Sequence, residues 1–243
     1  MEEISLKAQE IFNIGGFGVT NSLFSTFTVS LALIVLAIIA SKKLRMVPGT
    51  FQSAVEVSFE WLLDLMQSML GSVKKAEQYF PLIATIFIFI MASNFSGILP
   101  GVSSLVVERG GHEVPLFRSP AADLNFTLAF AVISVVAANA IGMAAVGSFA
   151  HIGKFLNFKS PIGFFIGILE IVSELAKIIS LSFRLFGNVF AGEVLLTIVA
   201  FLAPYIIPLP FLFLEIFVGF IQAFVFAMLT LVSIALHTAE HEH

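Results

Sequence analysis

Long apolar runs alternate with short polar connections along most of the chain. Five runs are long enough to cross a hydrocarbon core of about 30 Å as helices; they cover residues 23–40, 80–99, 124–149, 162–203 and 205–236. Between the first two, the apolar residues of 51–70 recur at helical spacing, and acidic residues punctuate the other face. That pattern is typical of an amphipathic helix at the membrane surface. We therefore expect an all-α polytopic membrane protein with about five membrane helices and one surface helix.

Composition supports one membrane domain and excludes most soluble functions. Of the 243 residues, 58% are hydrophobic and 12% are charged, and the mean hydropathy is +1.03. A soluble domain has about 25% charged residues, which cover its surface. The absence of cysteine excludes disulfides and thiolate metal sites, and the net charge of −4 does not suggest a nucleic-acid partner. No metal-ligand spacing or phosphate-binding loop is found, so neither a metal nor a cofactor is expected.

The single domain, residues 1–243, divides into an outer N-terminal segment (1–22), three membrane helices with their loops (23–160) and a helix hairpin (161–239). The first run of the hairpin, 162–203, has 42 residues. As one helix it would be about 63 Å long, so crossing about 30 Å of hydrocarbon would need a tilt near 60°. We therefore expect either a broken helix or a long, steeply tilted one, with prolines at the turn before the last helix.

The basic residues predict the orientation of the chain. With the N-terminus outside, seven Lys and Arg residues fall on the cytoplasmic side and three fall outside, as the positive-inside rule requires. The inner set is Lys42, Lys43, Arg45, Lys74, Lys75, Lys154 and Lys159, and the outer set is Lys7, Arg109 and Arg118. Basic residues follow the first apolar run, which favours a retained helix over a cleaved signal peptide. The C-terminus is then cytoplasmic. Because the N-terminus does not resemble a transit sequence, a bacterial plasma (inner) membrane is expected.

The two remaining basic residues, Lys177 and Arg184, lie inside the fourth apolar run. At about 100° per residue, six polar side chains of this run fall within about 40° of Arg184. This set, the arginine stripe, comprises Glu170, Ser173, Lys177, Ser180, Arg184 and Asn188. Glu193 falls on the opposite face. In the last run, Glu215, Gln222 and Ser233 form a second polar stripe.

The residue types in these stripes restrict their chemistry. Arg184 is far from both ends of its run, and a charge at the bilayer centre costs between about 3 and more than 10 kcal/mol. Arginine keeps its proton, so Arg184 can act only as a fixed positive charge, whereas the carboxyls of Glu193 and Glu215 can take up and release protons. The pattern indicates a proton path interrupted by an electrostatic barrier. For Lys177 and Glu170, nearer one end, a structural ion pair is an equal alternative.

The five histidines carry weaker signals. Four of them, His112, His151, His241 and His243, are expected to be solvated, and His237 is expected at an interface. None of them belongs to a recognisable metal-ligand spacing.

Four segments of the chain resemble subunit a of F-type ATP synthases. The most specific is Ser182–Glu193, with the sequence SFRLFGNVFAGE. The others, in chain order, are Val47–Gln52, Ser119–Asn125 and Gln222–Phe226. Four matches in the family's order extend the resemblance over most of the chain.

The resemblance implies a stator subunit of the proton-translocating membrane sector, with no catalytic site of its own. Its implied partners are the c-subunit ring, the b subunits of the peripheral stalk, the F1 sector, membrane lipid and protons. Arg184 corresponds to the essential arginine, which faces the ring carboxylates and separates two offset half-channels. Glu193 corresponds to the relay carboxylate of the outer half-channel, and Glu215 stands where some members have histidine. The other residues assigned are Asn188, Gln222 and Ser180 as polar support beside the arginine, and Glu170, Ser173 and Lys177 along the inner half-channel.

Two other interpretations stay open at this stage. A self-contained secondary transporter could use an intramembrane Arg–Glu pair, but such proteins are built from repeats with broken helices, and no repeat is found. A structural membrane anchor would gain nothing from a charge at the bilayer centre. Whether the coupling ion is H⁺ or Na⁺ also stays open, because in this family the ring makes most of that choice.

Overall fold

The computed structural model describes residues 8–42, 44–99, 101, 105–109, 112–147, 153 and 161–239. The elements in chain order are β1 (Glu10–Ile14), β2 (Phe17–Thr20), α1 (Asn21–Lys42), α2 (Thr50–Leu70), α3 (Val73–Ser96), β3 (Val106–Arg109), β4 (His112–Pro115), a short 3-10 turn (Pro120–Ala122), α4 (Leu124–Val146), α5 (Pro161–Leu202) and α6 (Pro208–Ala239). Within these residues five helices are long and apolar enough to cross a membrane, and α2 is the amphipathic one. The predicted all-α membrane architecture is confirmed.

The long helix α5 is continuous over its 42 residues. It begins at Pro161, a residue suited to a first helical turn because its missing N–H would have no partner there. It ends at Leu202, shortly before Pro204, and α6 follows from Pro208. Of the two alternatives for this segment, the structure therefore has the unbroken helix. At about 63 Å it is roughly twice the hydrocarbon thickness, so it must lie steeply tilted in a bilayer.

The second membrane helix differs from its predicted bounds. α3 begins at Val73, before the apolar run, and Pro81 lies inside it instead of at its start. The first turns are polar, so hydropathy alone did not identify them. Ser72 caps the helix by accepting a hydrogen bond from the Lys75 backbone N–H at 3.4 Å. The apolar run therefore begins about two turns after the helix does.

Two short β-hairpins were missed by the sequence analysis. β1 pairs with β2, and β3 pairs with β4, both antiparallel. The first hairpin turns at Gly15 and Gly16, whose φ angles are 60° and 92°. Two successive positive φ values suit glycine and match the turn that joins two-residue hairpins. The Gly–Gly pair was the available signal. Both hairpins lie at the same end of the bundle, the hairpin end; the opposite end, which carries α2, is the basic end.

The core forms where α6 packs against α3, α4 and α5. Its fully buried side chains are mainly aliphatic and include Ile83, Ile90, Leu185, Leu231 and Ile234. Polar contacts also join the helices, as is usual in membrane proteins. Asn94 on α3 donates to the Gly219 carbonyl on α6 at 2.8 Å, and the Thr127 and Ser182 hydroxyls join α4 and α5 at 3.1 Å. These contacts set the register of the bundle.

Burial is distributed unevenly among the membrane helices. In the most apolar part of each helix, 39% of α3 is buried, but only 6% of α1 and 11% of α5. Most of α5 is therefore available to lipid or to another protein. Because α5 also carries the arginine stripe, its exposed face is the part of the bundle with the most unusual surface.

Several predicted features lie outside the described residues. They are Lys7, Lys43, Lys154, Lys159, His151, His241 and His243. The backbones of Arg109 and His112 belong to β3 and β4, and their side chains are not described. The positive-inside count therefore stays a prediction from the sequence.

Replacing Gly97 by alanine is expected to destabilise the bundle. A Cβ atom there would lie 2.6 Å from the Ser119 Cβ and 3.2 Å from its Cα, so the connection to α4 would have to shift. Overpacking of this kind costs about 1–3 kcal/mol. At Gly187, inside α5, a Cβ meets nothing within 4 Å, so Gly187→Ala should be neutral or stabilising by up to about 1 kcal/mol. Thermal unfolding in detergent checks both; equal midpoints would contradict the clash at Gly97.

Candidate functional site

The arginine stripe lies on the outward face of α5. Ser173, Ser180, Arg184 and Asn188 are exposed, whereas Glu170 and Lys177 are partly buried at its edge. The Arg184 Nη2 donates a hydrogen bond to the Ser180 Oγ, one turn earlier, at 3.1 Å. Because α5 is unbroken, the helical wheel inferred from the sequence applies along its whole length. A permanent positive charge therefore stands near the middle of an otherwise apolar, outward-facing surface.

A cavity of about 350 Å³ leads along α5 to this arginine. It lies between α4, α5 and α6, and Arg184 contributes to its wall. Its other polar lining residues are Ser134, Ser173, Lys177, Ser180, Thr230 and Ser233. Ser134 comes from the middle of α4, and the others come from the halves of α5 and α6 nearer the basic end. The cavity therefore extends from the arginine toward the basic end.

Glu193 lies on the other side of Arg184, toward the hairpin end, and it is paired with an arginine from a distant loop. The Arg118 Nε is 3.3 Å from the Glu193 Oε2, and the Arg118 side chain is only 9% exposed. The guanidinium also lies over the Phe190 ring, 5.8 Å from its centroid. The backbone N–H of Arg118 donates to the Ser25 Oγ at 3.0 Å. Contacts with α1 and α5 thus hold this guanidinium in place.

Glu215 on α6 approaches α5 beside Glu193. Its carboxylate lies against Gly192, where a Cβ atom would come within 3.0 Å of the Glu215 Oε1. The small residue is what allows this approach. The Glu215 Oε2 is buried and has no hydrogen-bond partner among the described residues. The structure therefore brings two carboxylates together at the hairpin end: one neutralised by Arg118, the other without such a partner.

Gln222 lies two turns further along α6 and is half-buried. Ser233, the third member of the second stripe, is buried and lines the cavity. The second stripe therefore runs from the paired carboxylates to the cavity wall, along the side of α6 that packs against α4 and α5.

A buried polar cluster beside the cavity was not predicted from the sequence. The Glu174 carboxylate on α5 accepts a hydrogen bond from the Lys177 Nζ at 2.6 Å. It accepts a second one from the Asn139 Nδ2, on α4, at 3.1 Å. His237 on α6 places its Nε2 3.5 Å from the Glu174 Oε1. His237 is 3% exposed, and the expectation that it lies at a membrane interface stays a prediction. Its ring is enclosed because α6 extends as helix to Ala239 and stays packed in the bundle. Lys177 has an ion-pair partner, Glu174, and whether the pair is structural or lines a proton path stays open.

Two carboxylates and one imidazole of this region are close enough to one another to contact one metal ion. Single donor atoms of Glu170, Glu174 and His237 lie within 4.8 Å of one another. However, the ammonium of Lys177 already contacts the Glu174 Oε1 at 2.6 Å. A cation at the same oxygen would be repelled by that charge. The donor set therefore fits a hydrogen-bonded cluster better than a metal centre.

Comparison with known proteins identifies the family. The family described as ATP synthase A chain matches residues 22–235. The chain belongs to this family. The ATP synthase subunit a of Moorella thermoacetica is 33% identical over 226 residues, which cover 93% of this chain and 94% of the relative. That of Campylobacter jejuni is 37% identical over 217 residues, 88% of each chain. That of Syntrophobacter fumaroxidans is 38% identical over 222 residues, 90% of this chain and 84% of the relative.

Family membership confirms the resemblance drawn from four short segments. The chain is a multi-pass membrane protein of a family named for ATP synthase, which agrees with the predicted subunit without a catalytic site of its own. It groups with neither secondary transporters nor anchors, the two interpretations that had stayed open. Family membership does not assign roles to individual residues; the distances and burial of the site residues support those roles separately.

Proposed function

We propose that this chain is the stator subunit of an ATP synthase membrane sector, in which it carries two offset half-channels separated by Arg184. The observation that carries the proposal is the placement of polar groups on the two sides of that arginine. A cavity whose wall carries Lys177 and five hydroxyl side chains reaches Arg184 from the basic end, and two neighbouring carboxylates, Glu193 and Glu215, lie beyond it at the hairpin end. The two half-channels need not connect with each other if a proton-carrying group on another protein moves past the arginine.

The proposed partner at the arginine stripe is a ring of c subunits bearing carboxylates. The face of α5 around Arg184 is exposed, and Ala191, Leu195 and Ile198 continue it toward the hairpin end. An apolar face with one fixed positive charge suits a lipid-embedded helix that carries one carboxylate. Arg184 would draw each passing carboxylate into its ionised form. The carboxylate would exchange its proton with one half-channel before it meets the arginine and with the other afterwards.

The half-channels are assigned from the predicted orientation. With the N-terminus outside, the hairpin end is the outer side, so Glu193 and Glu215 relay protons there. The cavity lined by Ser173 and Lys177, with Glu170 near its mouth, is then the inner half-channel. Asn188, Ser180 and Gln222 support the region around the arginine. The b subunits of the peripheral stalk and the F1 sector complete the proposed assembly, in a bacterial plasma membrane with the C-terminus cytoplasmic.

The energy that such a path delivers is set by the membrane potential. One elementary charge crossing 100 mV carries about 2.3 kcal/mol. The energy of several crossing charges must therefore be added for each ATP. A rotating ring adds it by repeating the same proton exchange at each of its subunits. A fixed arginine is needed at every step, because direct passage of protons between the two paths would release the energy without rotation.

Site-specific cross-linking tests the partner at the stripe. The chain has no cysteine, so a single introduced cysteine can carry a photoactivatable cross-linker without background. Ala191→Cys, on the stripe face, should give adducts with the ring subunit when the assembled complex is illuminated. Leu31→Cys is the matched control, because Leu31 is 53% exposed on α1, away from the stripe. Ring adducts from the control but not from Ala191→Cys would contradict the proposed docking face, and a purified complex without any c-ring would contradict the stator role.

A further inference from the structure

The Glu174–His237 contact lies behind Lys177, which lines the cavity that leads to Arg184, and the half-channel assignment gives this contact no role. Three helices contribute to it: α4 supplies Asn139, α5 supplies Glu174 and Lys177, and α6 supplies His237. The Glu174 and His237 side chains are only 10% and 4% exposed. Lys177, at 32% exposure, connects the cluster to the cavity that it also lines.

Hydrogen-bond roles determine what this contact requires. The His237 Nδ1 lies 2.7 Å from the Ser233 carbonyl oxygen. A carbonyl can only accept, so Nδ1 carries a hydrogen and donates it. The other ring nitrogen, Nε2, faces the Glu174 Oε1 at 3.5 Å. A deprotonated Nε2 and a carboxylate oxygen are both acceptors, so the two lone pairs repel unless one proton is bound to either atom.

The charges around the pair lead to the same requirement. Among the described residues, the charged groups that face it are Glu170 and Lys177, both from α5, while α4 and α6 contribute the uncharged Asn139 and Ser233. With a neutral imidazole, these two described glutamates, Glu170 and Glu174, and one lysine sum to one negative charge. Because burying an uncompensated charge is costly, one bound proton would balance the charges of these described groups.

We propose that the Glu174–His237 pair holds one exchangeable proton and forms a proton-loading site beside the cavity, reached through Lys177 on its wall. The inference rests on the proposed function, because the site needs a proton path to serve. The exchange makes or breaks only an N–H or O–H bond, and water in the cavity gives or takes the proton. As an imidazolium facing a carboxylate, or as a carboxylic acid facing an imidazole, the pair stores the same proton.

The pH dependence of proton flux through the assembled membrane sector in vesicles tests this site. His237→Gln keeps a side chain able to donate to Glu174 but cannot hold the extra proton. The ratio of wild-type to H237Q flux should therefore change as the pH on the basic-end side is varied. Thr238→Val is the matched control: among the described residues its hydroxyl bonds only to α6 carbonyls, those of Ile234 and Ala235, so its ratio to wild type should stay constant.

The possible results separate this inference from the proposed function. A constant wild-type to H237Q ratio over the whole pH range would overturn the loading site, even if Arg184 proves essential. Inhibition by Zn²⁺ that H237Q abolishes would also overturn it, in favour of a metal site. If H237Q does not assemble, Glu174→Gln is measured in the same way; it keeps one oxygen that can accept from Asn139 or Lys177 but removes the carboxyl that shares the proton. A pH-dependent ratio for it would support the site, and a constant one would overturn it.

Discussion

Replacing Arg184 by alanine is expected to abolish coupled ATP synthesis and to make the membrane sector leak protons passively. The guanidinium is the fixed cation between the cavity and the carboxylates of Glu193 and Glu215. In the proposed assembly Arg184 forms an ion pair with a ring carboxylate, enclosed between the two proteins. Removing one member of a buried ion pair costs about 3–5 kcal/mol, and about 1.4 kcal/mol is a factor of ten. Synthesis should therefore fall by roughly 100-fold or more. The measurements are ATP synthesis and passive proton uptake in vesicles that contain the assembled complex.

Arg184→Lys is the informative control for this prediction. The ammonium keeps a positive charge but can release its proton and cannot present the planar guanidinium. Passive leak should then stay closer to that of the wild type than in Arg184→Ala, while synthesis still falls. Full ATP synthesis in Arg184→Ala would contradict the barrier role outright. A non-leaky alanine variant that has lost synthesis would point instead to a structural role for this side chain.

Most of the helical framework could be predicted because membrane helices are encoded locally. α4 begins at Leu124, and α5 spans Pro161–Leu202, both within a residue of their predicted starts. Hydropathy was misleading only where a helix extends beyond its apolar part. α3 begins two turns early because a polar stretch capped by Ser72 continues the helix outside the apolar run. The two β-hairpins were not predicted because their strands are too short to show a clear alternation of apolar and polar residues.

The site was predictable along one helix but not between distant parts of the chain. The helical wheel placed Arg184 and Asn188 on a common face, as the continuous α5 requires. It could not find the role of Arg118, which is 75 residues from Glu193 in the sequence and was predicted only as one of the outer basic residues. Glu174 lies about 80° from the centre of the stripe, so the role of the Lys177–Glu174 pair stayed open from the sequence. Only tertiary packing brings it to His237 on α6.

Glu215→Gln is expected to slow proton flux with little effect on the stability of the bundle. The Glu215 Oε2 has no hydrogen-bond partner among the described residues, so glutamine, of the same size, breaks no hydrogen bond at that atom. It does remove the group that carries the proton, and a positioned proton-transfer group contributes about 100-fold or more to the rate of its step. Proton flux and thermal unfolding of the same preparation are the two measurements.

Glu193→Gln is expected to slow the flux as well, but with an additional loss of stability. The substitution leaves the buried Arg118 guanidinium without its carboxylate, and an unsatisfied buried group costs about 1–3 kcal/mol. Arg118→Gln combined with Glu193→Gln removes both charges. The double variant should therefore recover stability while its flux stays low, which separates proton relay from a structural ion pair. Recovery of flux together with stability would assign Glu193 to structure alone, and unchanged flux in Glu193→Gln/Glu215→Gln would remove both carboxylates from the proton path.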